Sequence, residues 1–528
     1  MPLHASGYRR GIVAAPHRAA AEAGRLILAE GGNALEAMIA MAAAIAAVYP
    51  HMNHLGGDGF FLIREPSGRV RTILGAGPAA AGARIELYRE YESIPARGPL
   101  AAITVPGAVG TWSLALEAAK ASGGRLPLST LLAPAMAHAQ DYGVSPGQVR
   151  LTAEKCSELE AIPGFAATFL VDGKPPQSGA RLKQPALAAT LDHLAHAGLD
   201  DFYRGDVARE IAADLAAIGS PVRRADLANY RAVVDDPLSV VVRAGTLFNT
   251  PPPTQGIASL ILLALFDRLR IEEAEGFDHI HGLVETTKRA FLLRDRYVTD
   301  PDRLAHPPER YLVQDFLDAE ARRIDRRKAA PWPAPQQRGD TVWMGAADGS
   351  GMVVSYIQSL YWEFGSGCVL PRTGVLMQNR GASFSLDPKA LNALTPGRRP
   401  FHTLNPALAV LRDGSILAYG TMGGDGQPQT QAALFTRAVL YRQPLDEAID
   451  RPRWLLGRTW GSPRTNLRLE ARFAASLVEK LAAAGHDVEL LDEPYSDTMG
   501  HAGALWLHAD GRLEAAHDPR ADGSVEGV

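Results

Sequence analysis

At 528 residues, 46% of them hydrophobic and 21% charged, the chain has the composition of an ordinary globular protein. Its length sets a prior of roughly three or four domains, which large layered enzymes break. A net charge of −4 leaves no broad basic surface for nucleic acid, and two cysteines, Cys156 and Cys368, argue against a disulfide framework or a thiolate metal site.

The opening residues, MPLHASGYRRGIVAAPHRAA, hold no long apolar core before a small-residue cleavage site, so the expected location is the cytoplasm. HRAAAEAGRLILAE (17–30) has apolar residues at helical spacing and stops at Gly31-Gly32. A second helix is expected from Asn33. Its apolar run, 34–49, is short, alanine-rich and interrupted by Glu36, which suits a buried core helix rather than a membrane span. The glycine loop LGGDG (55–59) then leads into a hairpin made of FFLI and RVRTIL. No GKS or GKT follows that loop, and a strand succeeds it, so it is not read as a phosphate loop. His51 and His54 lack Cys, Asp or Glu at matching spacing and are read as structural, so neither a metal nor a cofactor is expected.

From 105 to 325 the pattern is mostly helical, broken by strands and a proline-rich turn between 228 and 256. A helix is expected over 277–298, with Glu285, Lys288 and Arg289 forming a solvated face of local ion pairs. Residues 325–338 are charged and carry Pro331, Pro333 and Pro335, which predicts an exposed loop. TVWMGAA, a DGSG turn and MVVSYIQSLY then make a hairpin that begins at Thr341. A threonine at a strand mouth behind a loop is what an N-terminal-nucleophile hydrolase needs, because cutting the chain there frees an α-amine to act as base beside the hydroxyl. Most threonines so placed are simply good strand formers.

Beyond it, PRTGVLMQNRGASFSLDP (371–388) predicts a short strand and turn. ALAVLR and SILAYG form a hairpin around Asp413-Gly414, and the second strand runs into Met422-Gly423-Gly424-Asp425-Gly426 and a helix. Glycines at such a junction leave N–H groups free for an oxyanion, or form a tight turn and nothing more.

Together, GGNALEAMIA, YPHMNHLGGDGFF, TVPGAVGTW, PPPTQG, ETTKRAFLLRDRYVTDP, FGSGCVLPRTGVLMQN, MGGDG and AAHDPRADG resemble, in order and over nearly the whole chain, the γ-glutamyltransferase family of N-terminal-nucleophile hydrolases. The resemblance implies an α+β fold, a four-layer αββα sandwich, and a precursor that cuts itself between Asp340 and Thr341. Residues 1–340 and 341–528 would then be interlocked subunits of one domain, as an αβ heterodimer or its α2β2 dimer. It also implies an acyl-enzyme on Thr341, an oxyanion held by Gly423 and Gly424, and a small-molecule amide as substrate, with no nucleic acid, membrane or cofactor. Where the family places a threonine and an asparagine near the nucleophile, this chain has Ile357 and Ser359, of which only Ser359 keeps a polar role. By the period-2 rule Ser355, Ile357 and Ser359 share one strand face.

The departures bear on substrate. The family's arginine after the first hairpin is missing, since ILGAGPAAA (73–81) puts Gly75 or its neighbours there. The family's aspartate in the NN…DDFS segment is replaced by Ser383 of QNRGASFS, and its paired serines by His402-Thr403. Both grips on a glutamyl group are thus absent, while Asn379, Arg380, Ser383, His402 and Thr403 remain as candidate substrate-binding residues. A pocket holding Arg380 and His402 with no acidic partner would suit a small carboxylate-bearing amide without an amino group; the alternative for Arg380 is a surface ion pair. This pattern resembles the non-glutamyl branch of the family, which includes oxamate amidohydrolase, a purine-catabolic enzyme, and the cephalosporin or glutaryl acylases. A γ-glutamyl hydrolase or transpeptidase is a further reading. A carboxylate-binding homologue that keeps the fold without maturing is the reading from another class.

Overall fold

The computed structural model describes residues 3–332, 340–457 and 465–528. Two seven-stranded sheets, each antiparallel throughout, face one another. In the first the order is His4–Tyr8, Leu513–His517, Ala502–Leu507, Ile416–Thr421, Ala407–Leu411, Gly245–Asn249 and Leu238–Val242. In the second it is Ser524–Gly527, Gly11–Ala15, Asp340–Asp348, Val353–Tyr361, Asp58–Arg64, Val70–Gly75 and Val233–Asp235.

Strand alternation sorts the side chains into layers. Ile12 and Ala14 enter the core between the sheets with Trp343, Leu408, Ala418 and Leu505, whereas Val13 and Ala15 face the helices Arg18–Ala29 and Ala34–Val48. On the other side Leu247, Ala409 and Leu417 pack under the helices Gly256–Leu269, Phe277–Tyr297 and Gly426–Phe435. The result is the αββα sandwich, with strand Asp340–Asp348 in the interior of the second sheet, third of its seven strands.

The alanine-rich helix Ala34–Val48 is buried along its entire length. Glu36, the residue that interrupts its apolar run, is a cap: Oε2 accepts from the Asn33 N–H at 2.8 Å and Oε1 from the Leu126 N–H at 2.8 Å. Among the described residues no helix is long and apolar enough to cross a membrane.

Two expectations are corrected. Glu285 and Lys288 do not form a solvated face; both are buried and bonded at 2.7 Å, because the segment 325–330 lies across that side of the helix. Nor is there a strand in 371–388. Its backbone bonds go to separate loops, such as Gln378 N–H to Gly56 O at 3.0 Å and Asn379 N–H to Leu360 O at 3.1 Å, which leaves isolated bridges and a 3₁₀ turn, Arg380–Ser383. The loop expected over 325–338 is described only as far as Trp332, and is mostly exposed there; the rest lies outside the described residues.

Candidate active site

Thr341 stands where the central hairpin loses its register. Asp340 pairs with Tyr361 and Val342 with Gln358, so one residue is skipped and Thr341 leaves the ladder while staying fully buried. Two residues on, the Trp343 indole lies in a slot of the facing sheet formed at Gly420 and Gly503, where an added Cβ would stand 2.1 and 2.3 Å from the ring. Its Nε1–H donates to Ser355 Oγ at 2.9 Å, so Ser355 serves the tryptophan. Ile357 packs with Phe60 and Leu404, and Ser359 Oγ accepts the Tyr361 N–H at 2.7 Å.

The Thr341 hydroxyl accepts a long hydrogen bond, 3.4 Å, from Gln427 Nε2 in the first turn of helix Gly426–Phe435. Just ahead of that helix, Gly423 and Gly424 have φ of +110° and +53°, values that suit glycine. Their carbonyls turn into the helix, accepting from Gly426 N–H at 2.7 Å and Gln427 N–H at 3.2 Å, and among the described residues no acceptor meets their own N–H groups. The loop is fixed from behind by two residues that sequence reasoning did not single out. Gln255 Nε2 donates to Gly424 O at 2.8 Å, and Arg294 Nη1 donates to Gln255 Oε1 at 2.8 Å and Asp425 Oδ1 at 2.7 Å. The motifs containing them, PPPTQG and RDRY, were visible; their convergence was not. A buried hydroxyl beside free, preorganised N–H donors can support acyl transfer.

Arg380 is fully buried, so it is no surface ion pair. Its guanidinium lies 4.0 Å from the centre of the Tyr361 ring, and Nη1 donates to Thr403 Oγ1 at 3.3 Å. Nε and Nη2, the two donors of one edge, are buried with no partner among the described residues. That edge is the fork a carboxylate accepts side-on. Burial lowers the Arg380 pKa to about 10, so it stays cationic at neutral pH.

The expectation of no acidic partner is overturned by Asp58. Its Oδ2 accepts from His402 Nε2 at 3.0 Å, and its Oδ1 from Gly77 N–H, Gly107 N–H and Gln378 Nε2 at 3.2, 3.0 and 3.1 Å. Burial pushes the Asp58 carboxyl up to about 7 against the opposing pull of Arg380 and these donors. His402 is held well below its ordinary value, first by burial and then by Arg380, so it is neutral. Asp58 opens the strand Asp58–Arg64, 344 positions from His402, where no spacing rule connects the two.

The other candidates have structural partners. Asn379 joins two segments, donating to Ala96 O at 2.9 Å and accepting from Trp362 N–H at 3.1 Å. Ser383 donates to Arg380 O at 3.0 Å and steadies the turn. Thr403 uses its hydroxyl for Arg380 and its carbonyl for Gln255, at 2.7 Å. An added Cβ would stand 1.5 Å from Val105 O at Gly77 and 2.4 Å from Thr111 Cγ2 at Gly75, so neither glycine has room for a side chain.

A sequence model described as Gamma-glutamyltranspeptidase matches residues 20–528. The chain is 51% identical to the oxamate amidohydrolase proenzyme of Klebsiella pneumoniae over 528 residues, 99% of this chain and 100% of that protein. It is 38% identical to a glutathione hydrolase-like proenzyme of Bacillus subtilis, covering 98% of each. Its structure is similar to that of the cephalosporin acylase from Bacillus halodurans, with a TM-score of 0.91 and 31% identity, over 99% of this chain and 97% of that one.

Proposed function

Since the chain belongs to the γ-glutamyltranspeptidase family, we propose that it is an N-terminal-nucleophile amidohydrolase for a small carboxylate-bearing amide, with oxamate, giving oxalate and ammonia, as first candidate. In the precursor Thr341 Oγ adds to the Asp340 carbonyl, the peptide becomes an ester, and water releases residues 1–340 from 341–528. Thr341 then carries a free α-amine. That amine takes the hydroxyl proton as Oγ attacks the substrate amide, the Gly423 and Gly424 N–H groups hold the oxyanion, and the proton passes to the departing amine. Water, deprotonated by the same amine, cleaves the acyl-enzyme.

The observation that carries the substrate class is the open edge of buried Arg380. Tyr361, whose ring lies against that guanidinium, pairs with Asp340, the residue before the nucleophile, so a carboxylate on the fork would lie close to the attacking hydroxyl. A second reading, larger acylase substrates, is supported by the similarity to the cephalosporin acylase. The γ-glutamyl reading is disfavoured by the crowded Gly75–Gly77 segment.

The test is the intact mass of freshly purified protein and of Thr341→Ala, followed by amine release from oxamate, glutaryl amides and γ-glutamyl anilide. Two fragments meeting between Asp340 and Thr341, absent in the variant, with oxamate turned over best, is the expected result. Preference for glutaryl or γ-glutamyl amides would overturn the substrate. A stable, uncut and inactive wild type would favour the non-catalytic carboxylate-binding homologue.

A further inference from the structure

On the far side of the first sheet from the nucleophile's strand, three side chains converge that the hydrolytic reaction does not use. His281 and Glu285 are one turn apart on helix Phe277–Tyr297, and His486 comes from the turn after helix Ala475–Ala483. We propose that His281, Glu285 and His486 bind a single divalent transition-metal ion of the imidazole-preferring kind, such as cobalt, nickel or zinc.

One ligand atom from each residue lies within 4.8 Å of the others, and all three residues are buried. The tautomer of His281 is set by its surroundings: Nε2 is 2.9 Å from the Asp325 carbonyl and must donate to it, which leaves the Nδ1 lone pair directed at His486 Nε2, 2.8 Å away. A carbonyl anchoring the outer nitrogen is the usual arrangement for a metal-binding histidine. At metal–nitrogen distances of about 2.1 Å, nitrogens this close subtend an angle of about 85°, the cis angle of an octahedral site; a tetrahedral ion would require the rings to separate slightly. In the protein without metal the His486 Nε2 proton bridges the rings. To bind the ion, His486 moves that proton from Nε2 to Nδ1, so both rings ligate as neutral imidazoles and no proton is released.

The third ligand is contested. Glu285 Oε1 accepts from Lys288 Nζ at 2.7 Å, and Oε2 from the Ala330 N–H at 3.1 Å. Lys288 also donates to the Ala330 carbonyl at 2.7 Å, so it keeps a partner when the ion displaces it from the carboxylate. The ammonium therefore acts as a built-in competitor that weakens the site. The Phe277 ring stacks on His281 with 4.9 Å between centres, and its residue lines a surface groove with Arg270, Asp278, Arg326, Lys480 and Ala484.

The experiment uses whole, tag-free protein stripped with chelator and titrated with Co²⁺, followed by visible absorbance and by calorimetry in two buffers of different ionisation enthalpy. Expected are one equivalent per chain, the same binding enthalpy in both buffers because no net proton is released, binding at least roughly tenfold weaker in His486→Asn and His281→Asn, and tighter binding in Lys288→Met, with melting curves verifying that each variant is folded. Absence of saturable binding in the wild type would overturn the proposal. So would binding unchanged in folded His486→Asn and Lys288→Met, which would leave the pair as a simple histidine–histidine hydrogen bond.

Discussion

Arg380 and Asp58 make the site's charge depend on pH. Arg380 remains cationic, whereas Asp58 has a pKa of about 7. The other ionisable groups around Asp58 are the neutral His402 and the phenols of Tyr203, Tyr230 and Tyr356, all held above their ordinary value by burial. As pH falls through 7 Asp58 gains a proton, and the negative charge that opposes an anionic substrate disappears. KM for a carboxylate-bearing amide is therefore expected to fall between pH 8 and pH 6, and Asp58→Asn to flatten that dependence; a wild-type KM that rises on acidification contradicts the assignment. For Arg380→Met, loss of a charge-assisted fork contact of about 1.5–3 kcal/mol predicts roughly a 10- to 100-fold drop in kcat/KM, which Arg380→Lys does not restore because an ammonium cannot present two parallel donors. That Ser383 replaces the family's acidic grip, with an arginine three residues before it, could be read in QNRGASFS. That this arginine is buried on Tyr361 and faced by Asp58 could not, because those partners come from other strands.

Among the elements, the strand-to-helix junction at 422–426 is the one whose backbone is proposed to hold the oxyanion. Gly423, at φ +110°, tolerates a Cβ less well than Gly424 at +53°. Gly423→Ala is expected to slow both self-cleavage and amide turnover, by roughly 10²–10³ if it turns one N–H away from the oxyanion, as measured by fragment appearance and steady-state rate. The buried helix Ala34–Val48 makes a different prediction. Glu36→Ala leaves the half-buried N–H groups of Asn33 and Leu126 without their acceptor, so the denaturation midpoint should drop by the equivalent of about 1–2 kcal/mol, while KM of the surviving folded protein stays unchanged. The helix, its start at Asn33 and the three hairpins were legible, since periodicity and turn residues are local signals, whereas the capping role of Glu36 was not read. The false strand in 371–388 and the false solvated face at Glu285 failed for one reason: in each, the decisive partners were loops distant in sequence.

Across the whole molecule, the position of Thr341, the proposed nucleophile, depends on how the two sheets meet. Trp343 crosses the interface, fitted against Gly420 and Gly503 of the other sheet, and lies two residues from Thr341. Trp343→Ala should cost about 3–5 kcal/mol in a denaturant titration, with self-cleavage falling by more than the folded fraction does because Thr341 loses its seat. Cleavage that tracks folding alone would show that the indole only fills space.

The order of motifs, the strand periods and the glycine junction were enough to specify a layered α+β hydrolase and its candidate threonine, because these are properties of neighbouring residues. The depth at which Arg380 lies, the Asp58–His402 pair, the Arg294–Gln255 brace and the histidine pair at 281 and 486 were decided by tertiary structure alone. Each depends on desolvation and on contacts between segments far apart in the chain, and neither quantity exists until the sheets have stacked.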